Sequence, residues 1–468
     1  MPTPRYPRPP WRRPSQPVRC QRSAGWLGAG QLGLLILGQL AWGAPVWALD
    51  IPFEQYQLEN GLNVILHEDH SLPQVVVNIM YKVGSKDEVE GRSGFAHLFE
   101  HLMFMGTTRL PGAGFDELME ANGGWNNAWT SNDATDYYDV GPSPLLGTFL
   151  WMEADRMDGL GKAMTKEKVN LQREVVRNER RQTSEDEPYG VLELELPAIL
   201  YPAGHPYAHS VIGSHEDLQA AGLSDVVGFF GTWYVPNNAS LVVAGDFDKA
   251  TAKAEIQRLF GVLPRKELPA RTTPPAPDKP MKALTELTDQ VQIPMSVLTW
   301  HSPAWLQPGD AEMDLLGSIL AGGRSSRLYR RMVEGDESAL EVSAWQESGA
   351  LSSTFVIDVK PTPKHTLEEV EGVIAEELAR IAKEGPTPAE MERVRNQTRK
   401  GYLGSLEELQ DRALTLNRFW YTTGNPGDAA GQLDRYAAVT AAGIQAAAQQ
   451  LNRERLATVR IRPVAGEK

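Results

Sequence analysis

The sequence predicts an α+β protein, two similar domains of mostly antiparallel sheet covered by helices. Three observations carry that expectation. Strand-like and helix-like segments alternate along the chain with turn residues between them. A polar run holding Pro264, Pro269, Pro274, Pro275, Pro277 and Pro280 has the composition of a stiff extended linker near the middle. On either side of it the same order recurs: an apolar strand, a polar turn, then an apolar helix.

Residues 1–48 read as a signal peptide and stand outside the fold. Residues 1–25 carry Arg5, Arg8, Arg12, Arg13, Arg19 and Arg22 and no acid. An apolar run from Trp26 to about Trp42 follows, and Val46-Trp47-Ala48 supplies a small-residue exit, so cleavage is expected after Ala48. The expected location is periplasmic or secreted. Membrane contact is expected only if the leader stays uncleaved; its apolar run is short and broken by Gln31, Gln39 and glycines. The single cysteine, Cys20, lies in the leader, so the exported chain has no disulfide and must rely on core burial. The formal net charge is −14 and grows more negative once the basic leader is gone, which argues against a nucleic-acid partner.

The first expected domain spans 49–263. Its strands are expected at Asn63–His67, Val75–Tyr81, Asn127–Thr130 and Ser240–Ala244. Its helices are expected at Phe95–Phe104, Pro144–Met157, Lys166–Gln182 and Glu216–Ala221, the last opened by Ser214 in a capping position. The linker covers 264–283. In the second domain, 284–468, strands are expected at Val291–Trp300, Ser353–Val359 and Thr458–Arg462. Pro308-Gly309-Asp310 leads into a helix over Ala311–Leu320, and Thr387-Pro388-Ala389-Glu390 is a capping box with proline at the first helical position. Each side is long enough for an independent domain.

The chemistry concentrates in His97-Leu98-Phe99-Glu100-His101. Two imidazoles four residues apart stand one above the other on a helix and can share one metal ion. Glu100, beside the second histidine, can take a proton from an attacking water without being a ligand. The order reverses the commoner H-E-x-x-H and belongs among zinc-hydrolase motifs. With nine histidines in 468 residues, a chance match is improbable. Phe95, Ala96, Leu98, Phe99, Leu102 and Met103 make the surrounding helix apolar, and the three motif residues are its only polar stripe. Histidines merely hydrogen-bonded in a core are the bland alternative; one ion satisfies all three groups together.

A tetrahedral zinc needs a third protein ligand and an open position. Glu179 lies four and three residues beyond Val175 and Val176, on the buried side of its expected helix. The residues alone leave two readings of it: a metal ligand, or an ion pair with one of Arg173, Arg177, Arg180 and Arg181. His205 and His209 repeat the four-residue spacing, but Pro206 between them disfavours a helix and hence a second metal pair. His70, His215, His301 and His365 read as surface or loop residues.

The H-x-x-E-H helix, the distant Glu179 and the two similar halves together resemble the pitrilysin/insulinase family of zinc peptidases, and within it the two-domain bacterial members similar to processing peptidases. Further matching segments are Gly123-Gly124-Trp125-Asn126-Asn127-Ala128-Trp129-Thr130, His205-Pro206-Tyr207, Trp233-Tyr234-Val235-Pro236-Asn237-Asn238-Ala239 and Gly322-Gly323-Arg324-Ser325-Ser326-Arg327-Leu328. The resemblance implies one zinc per chain held by His97, His101 and Glu179, with Glu100 as general base. It implies a clamshell of two lobes around a chamber that takes peptides or unfolded segments. Geometry and ligand type favour zinc, with manganese or cobalt as replacements. Asn127, Ala128, Trp129 and Thr130 read as an edge strand near the metal to which an extended peptide can add.

Two departures from the family pattern matter. Gln172 stands where many relatives have an outer glutamate; its amide can hydrogen-bond but adds no charge. Val333 and Leu340 align with an arginine and a tyrosine that catalytic relatives use to hold substrate, and neither can do that work. The chain is therefore expected to act as the zinc-bearing subunit of a heterodimer, with a homologous partner supplying the arginine–tyrosine pair. The alternative assembly is a homodimer using Arg330 or Arg331 instead. The alternative function is a non-catalytic structural subunit, a role whose known holders have usually lost the motif.

Overall fold

Runs of valine, isoleucine and leucine at Val64–Leu66, Val75–Val77 and Leu241–Val243 form the buried centre of a six-stranded sheet. The computed structural model describes residues 51–464 other than Ala276. The expected signal peptide, its cleavage point and Cys20 lie outside the described residues. The first sheet contains β1 (Glu54–Gln57), β2 (Asn63–Glu68), β3 (Gln74–Tyr81), β4 (Trp125–Thr130), β5 (Thr135–Pro142) and β6 (Ala239–Gly245). Their spatial order is β1-β2-β6-β3-β5-β4. β2 and β6 run parallel, and all other neighbours are antiparallel.

The second sheet contains β7 (Leu284–Asp289), β8 (Met295–Ser302), β9 (Ala339–Glu347), β10 (Ser353–Pro361) and β11 (Ala457–Pro463), in the order β7-β11-β8-β10-β9. Here too the outer pair, β7 and β11, is parallel and the rest antiparallel. Leaving β1 aside, the two sheets have one topology. The fold is thus the expected α+β arrangement with mostly antiparallel pairing. No helix among the described residues is long and apolar enough to cross a membrane.

The repeat extends to the helix that follows the second strand of each motif. Phe95–Leu102 follows β3 and Asp310–Ala321 follows β8. Both start from a left-handed glycine, Gly94 at φ 86° and Gly309 at φ 96°, a conformation that costs other residues more. Counting from those glycines, His97, Glu100 and His101 correspond to Glu312, Leu315 and Leu316. Both leucines are fully buried. One copy keeps a polar stripe, and the other places leucines at two of its three positions.

The halves are less independent than their lengths suggest. The helix Val191–Leu200 belongs to the first half, yet Ile199, Leu200 and Tyr201 pack with Met295, Val297, Val356, Val459 and Ile461 of the second sheet. In return, Leu406 and the helix Leu409–Thr423, through Ala413 and Leu416, cover Ile65, Val76, Val140, Val242 and Ala244 of the first. Each sheet has two apolar faces, and each half supplies a cover for the other's second face. Ala48–Lys468 accordingly cluster as one compact unit. The segment 264–283 has no helix or strand among its described residues. It is tied down by Lys266 N to Asn237 Oδ1 (3.0 Å), Arg271 Nε to Asp87 Oδ1 (2.9 Å) and Met281 N to Ile199 O (2.8 Å).

Strand β5 escapes a periodicity reading because it carries Thr135, Asp136 and Asp139 at buried positions. Asn78 Nδ2 donates to both carboxylate oxygens of Asp136 at 2.8 Å, and Asn417 Nδ2 donates to Asn78 Oδ1 at 2.5 Å. Burial pushes the Asp136 carboxyl well above the usual range. β8 starts at Met295, not Val291, because Val291 N turns back onto Asp289 O (2.8 Å).

An ion pair in the second half gives a pH signature. Arg327 donates to Glu390 at 2.7 and 2.9 Å, and Glu390 also accepts from Thr387 N (2.8 Å) in the expected capping box of Pro388–Ser405. Burial alone would raise the Glu390 pKa, but Arg327 and Thr387 outweigh it and hold it at about 2. A depressed carboxylate stabilises the fold above its ordinary value of 4.5 and loses that contribution as pH falls toward 2. Arg327→Leu should therefore lower stability at neutral pH, with the deficit shrinking between about pH 5 and pH 3 in urea titrations. A deficit constant with pH would contradict this.

Candidate metal centre

The helix Phe95–Leu102 is short, and its placement depends on its first turn. Glu88 accepts from Gly94 N (2.9 Å) and Ala96 N (2.7 Å), satisfying amides that the helix leaves open. Phe95, Ala96, Leu98, Phe99 and Leu102 are buried, so the helix cannot roll without exposing its apolar face. That fixes His97, Glu100 and His101 toward one side. The helix Lys166–Arg180, capped by Thr165, presents Glu179 to the same place, one turn beyond the buried Val176.

The structure brings the three expected ligands together. His101 Nε2 lies 3.1 Å from Glu179 Oε2, and His97 Nε2 lies 3.9 Å from Glu179 Oε1. One donor atom from each residue lies within 4.8 Å of the others, and this is the one group of three or more His, Cys, Asp or Glu among the described residues with that geometry. The neighbouring arginines are engaged elsewhere. Arg173 donates to Ala221 O (3.2 Å), Arg177 to Glu174 (2.9 Å) and Gln219 (2.7 Å), and Arg180 to Glu185 (2.8 Å) and Gly213 O (2.6 Å). Arg181 donates to Asn178 (2.5 Å). Glu179 faces imidazoles, not guanidinium groups.

The local electrostatics suit a cation. Burial, then the neighbouring His101, lowers His97 to about 4, so at neutral pH its ring is uncharged and has a lone pair to offer. Burial also lowers His101, but its bond to Glu179 and the charges of Glu100 and Glu179 outweigh that and raise it. Glu179 is held below the carboxylate range because the two histidines outweigh the effect of its burial. Burial raises Glu100 to about 7, despite the opposing influence of His101 and a bond from Thr130. Two imidazole nitrogens and a carboxylate in one partly buried cluster fit the donor set of a divalent ion that keeps an open position. Buried His97 Nδ1 has no hydrogen-bond partner among the protein atoms.

Gln172, on the helix of Glu179, donates its Nε2 to Met105 Sδ (2.7 Å) and stands near His101 without adding charge. Asn127, Ala128, Trp129 and Thr130 lie on β4, which pairs only with β5 and forms one edge of the first sheet. Thr130 does something the strand reading did not anticipate: its Oγ1 donates to Glu100 Oε2 at 2.6 Å. Glu88 was also missed, although a glutamate shortly before a glycine-led apolar helix is a usable capping signal.

Val333 packs against the second core, and Leu340 stands 49% exposed at the start of β9. Arg331 is paired with Glu376 and Asp336, whereas Arg330 is exposed beside a cavity of about 420 Å³. His205 and His209 do not converge: Tyr207 N donates to His205 Nδ1 (3.0 Å), and His209 contacts Ser210 O (3.3 Å). His301 is no loop residue; it lies in β8 with Nε2 against Leu200 O (3.1 Å). His215 opens the helix His215–Ala220 and pairs with Glu185 (2.9 Å).

Comparison with known proteins identifies the family. The family model described as Insulinase (Peptidase family M16) matches residues 63–213, and that described as Peptidase M16 inactive domain matches 221–398. The zinc protease PqqE of Helicobacter pylori is 29% identical over 365 residues, 76% of this chain and 81% of its own length. An uncharacterized zinc protease of Mycobacterium leprae is 27% identical over 424 residues, 88% and 92% respectively. Among solved structures, a protease from Helicobacter pylori matches with a TM-score of 0.81 and 25% identity, over 88% of this chain and all of that one. A peptidase M16 inactive domain from Pseudomonas fluorescens shares the fold, with a TM-score of 0.77 at 19% identity over 89% of this chain and 99% of that one.

Proposed function

The chain belongs to the insulinase (M16) peptidase family, and from that premise we propose that it is a zinc metallopeptidase hydrolysing peptides or unfolded segments in an exported compartment. The carrying observation is the convergence of His97, His101 and Glu179 with Glu100 left free of the ligand set and held by Thr130. Homologues named zinc protease support the choice of ion, and we take it to be one per chain.

His97 and His101 would hold the ion through Nε2 and Glu179 through its carboxylate. A divalent ion there supplies Lewis-acid polarisation and makes water easier to deprotonate near neutral pH. Every other step belongs to the chain. An extended peptide adds to the open edge of β4 by backbone hydrogen bonds, which selects extended segments over folded ones. Glu100 accepts a proton from the attacking water and returns it to the leaving amine. Thr130 limits the carboxylate to one orientation.

The second half lacks a side chain able to bind the developing oxyanion where Val333 and Leu340 stand. We take the chain to be the zinc-bearing subunit of a heterodimer whose partner, a homologous chain, brings an arginine and a tyrosine. Arg330 is the remaining candidate for a homodimer, since Arg331 is already paired. The residues 1–48 support export. The test is hydrolysis of an unfolded-protein substrate by the chain purified alone and co-expressed with such a companion. Activity is expected only, or about tenfold higher, with the companion; full activity of the single chain would end the heterodimer assignment.

A further inference from the structure

The hydrogen bond between Thr130 and Glu100 joins the edge strand to the catalytic carboxylate, and the turn behind it is held by the other half of the chain. Thr130 ends β4, and Ser131 N closes the turn onto Ala134 O (2.9 Å). Asp133 in that turn is a hub. Its Oδ1 accepts from Tyr207 Oη (2.6 Å) and its Oδ2 from Ala350 N (2.9 Å). Its main-chain oxygen accepts from Lys86 Nζ (2.6 Å) and Tyr421 Oη (2.9 Å), and Lys86 Nζ lies 3.3 Å from Oδ1. Tyr207 Oη in turn accepts from Leu351 N (3.1 Å).

Ala350 and Leu351 lie between β9 and β10 of the second sheet, and Tyr421 lies on the helix that crosses from the second half to cover the first sheet. The β9–β10 turn is the topological counterpart of the β4–β5 turn, so the two copies of one motif meet tip to tip at Asp133. Asp133 and Lys86 have side chains only 17% and 9% exposed, which makes these bonds firmer than surface contacts.

Resting on the peptidase reading above, we propose that Thr130 is a positioning residue for Glu100, and that the second half sets its place by clamping the turn at Asp133. A general base works only when held within a fraction of an ångström of the proton it takes. A single donor at 2.6 Å from a strand end supplies that constraint, and the strand is the one on which the peptide is seated. The second half thus contributes to catalysis without touching substrate, through the stiffness of one turn.

The test compares Thr130→Val, Thr130→Ser and Asp133→Ala in the full chain, each assayed together with the companion subunit, with Glu100→Gln as control and crystal structures of the valine and alanine variants. Thr130→Val should lower kcat by about ten- to a hundredfold with KM and zinc content within about twofold of the parent, and its Glu100 carboxylate should rotate. Thr130→Ser should recover most of the loss, because it keeps the hydroxyl. Asp133→Ala should lower kcat and add little on top of Thr130→Val, because both act through one route. A valine variant within about twofold of the parent in kcat, or one whose Glu100 carboxylate has not moved, overturns the proposal. So does a loss confined to KM or to zinc content. Hydrolysis by the parent no greater than the background without protein would overturn the peptidase reading instead, while the crystal structures still decide the positioning.

Discussion

Glu100→Gln is expected to abolish peptide hydrolysis while leaving the divalent ion in place. The amide is isosteric with the carboxylate and still accepts from Thr130, so the helix and its histidines have no reason to move. What it loses is the ability to take and return a proton. Removal of a general acid–base of this kind lowers kcat by about 10²- to 10⁴-fold. The pair of measurements is turnover of a quenched fluorescent peptide and zinc content by mass spectrometry. Unchanged turnover would dismiss Glu100 as base, and loss of zinc would mean that Glu100 is itself a ligand.

The largest expected effect on stability comes from Arg156. Its side chain is fully buried, donates to the equally buried Glu153 at 2.8 Å and lies over the rings of Phe104 (5.2 Å) and Phe115 (4.8 Å). Asp139, on β5 next to β4, is buried beside them. Burial and then Glu153 raise the Asp139 pKa, and Arg156 opposes that rise. Arg156→Met removes the cation of this cluster and leaves the buried Glu153 carboxyl without its partner. The expected loss is about 3–5 kcal/mol. Adding Glu153→Leu should recover much of it, since the cost lies in the unpartnered buried polar group and not in the missing arginine. Urea midpoints of the single and double variants measure this; a single variant within about 0.5 kcal/mol of the parent would show that Glu153 finds another partner.

The metal site was legible because its spacing is chemistry written along one helix: His97, Glu100 and His101 need no tertiary information to share a face. Glu179 was half legible. Its place beside Val175 and Val176 marked a buried side, but only the fold distinguishes two imidazoles from the arginines around it. Strands rich in valine and isoleucine, such as β3 and β6, could be read from composition. β5 could not, because Asp136 and Asp139 look like loop residues until Asn78 and Arg156 are seen against them. The exchange of helices between the sheets was hidden for a related reason. The pattern of Leu409–Thr423 says that one face is buried, not against which sheet. Thr130 and Asp133 carry no local signal for what they do, since their partners lie on other elements.

The whole reading depends on a metal ion between two helices, and one diffraction experiment addresses that ion directly. Crystals of the protein, measured on both sides of the zinc absorption edge, should give a single anomalous peak per chain within about 2.0–2.2 Å of His97 Nε2, His101 Nε2 and a Glu179 oxygen. Absence of that peak in zinc-supplemented protein, or a peak bound by other residues, would contradict it.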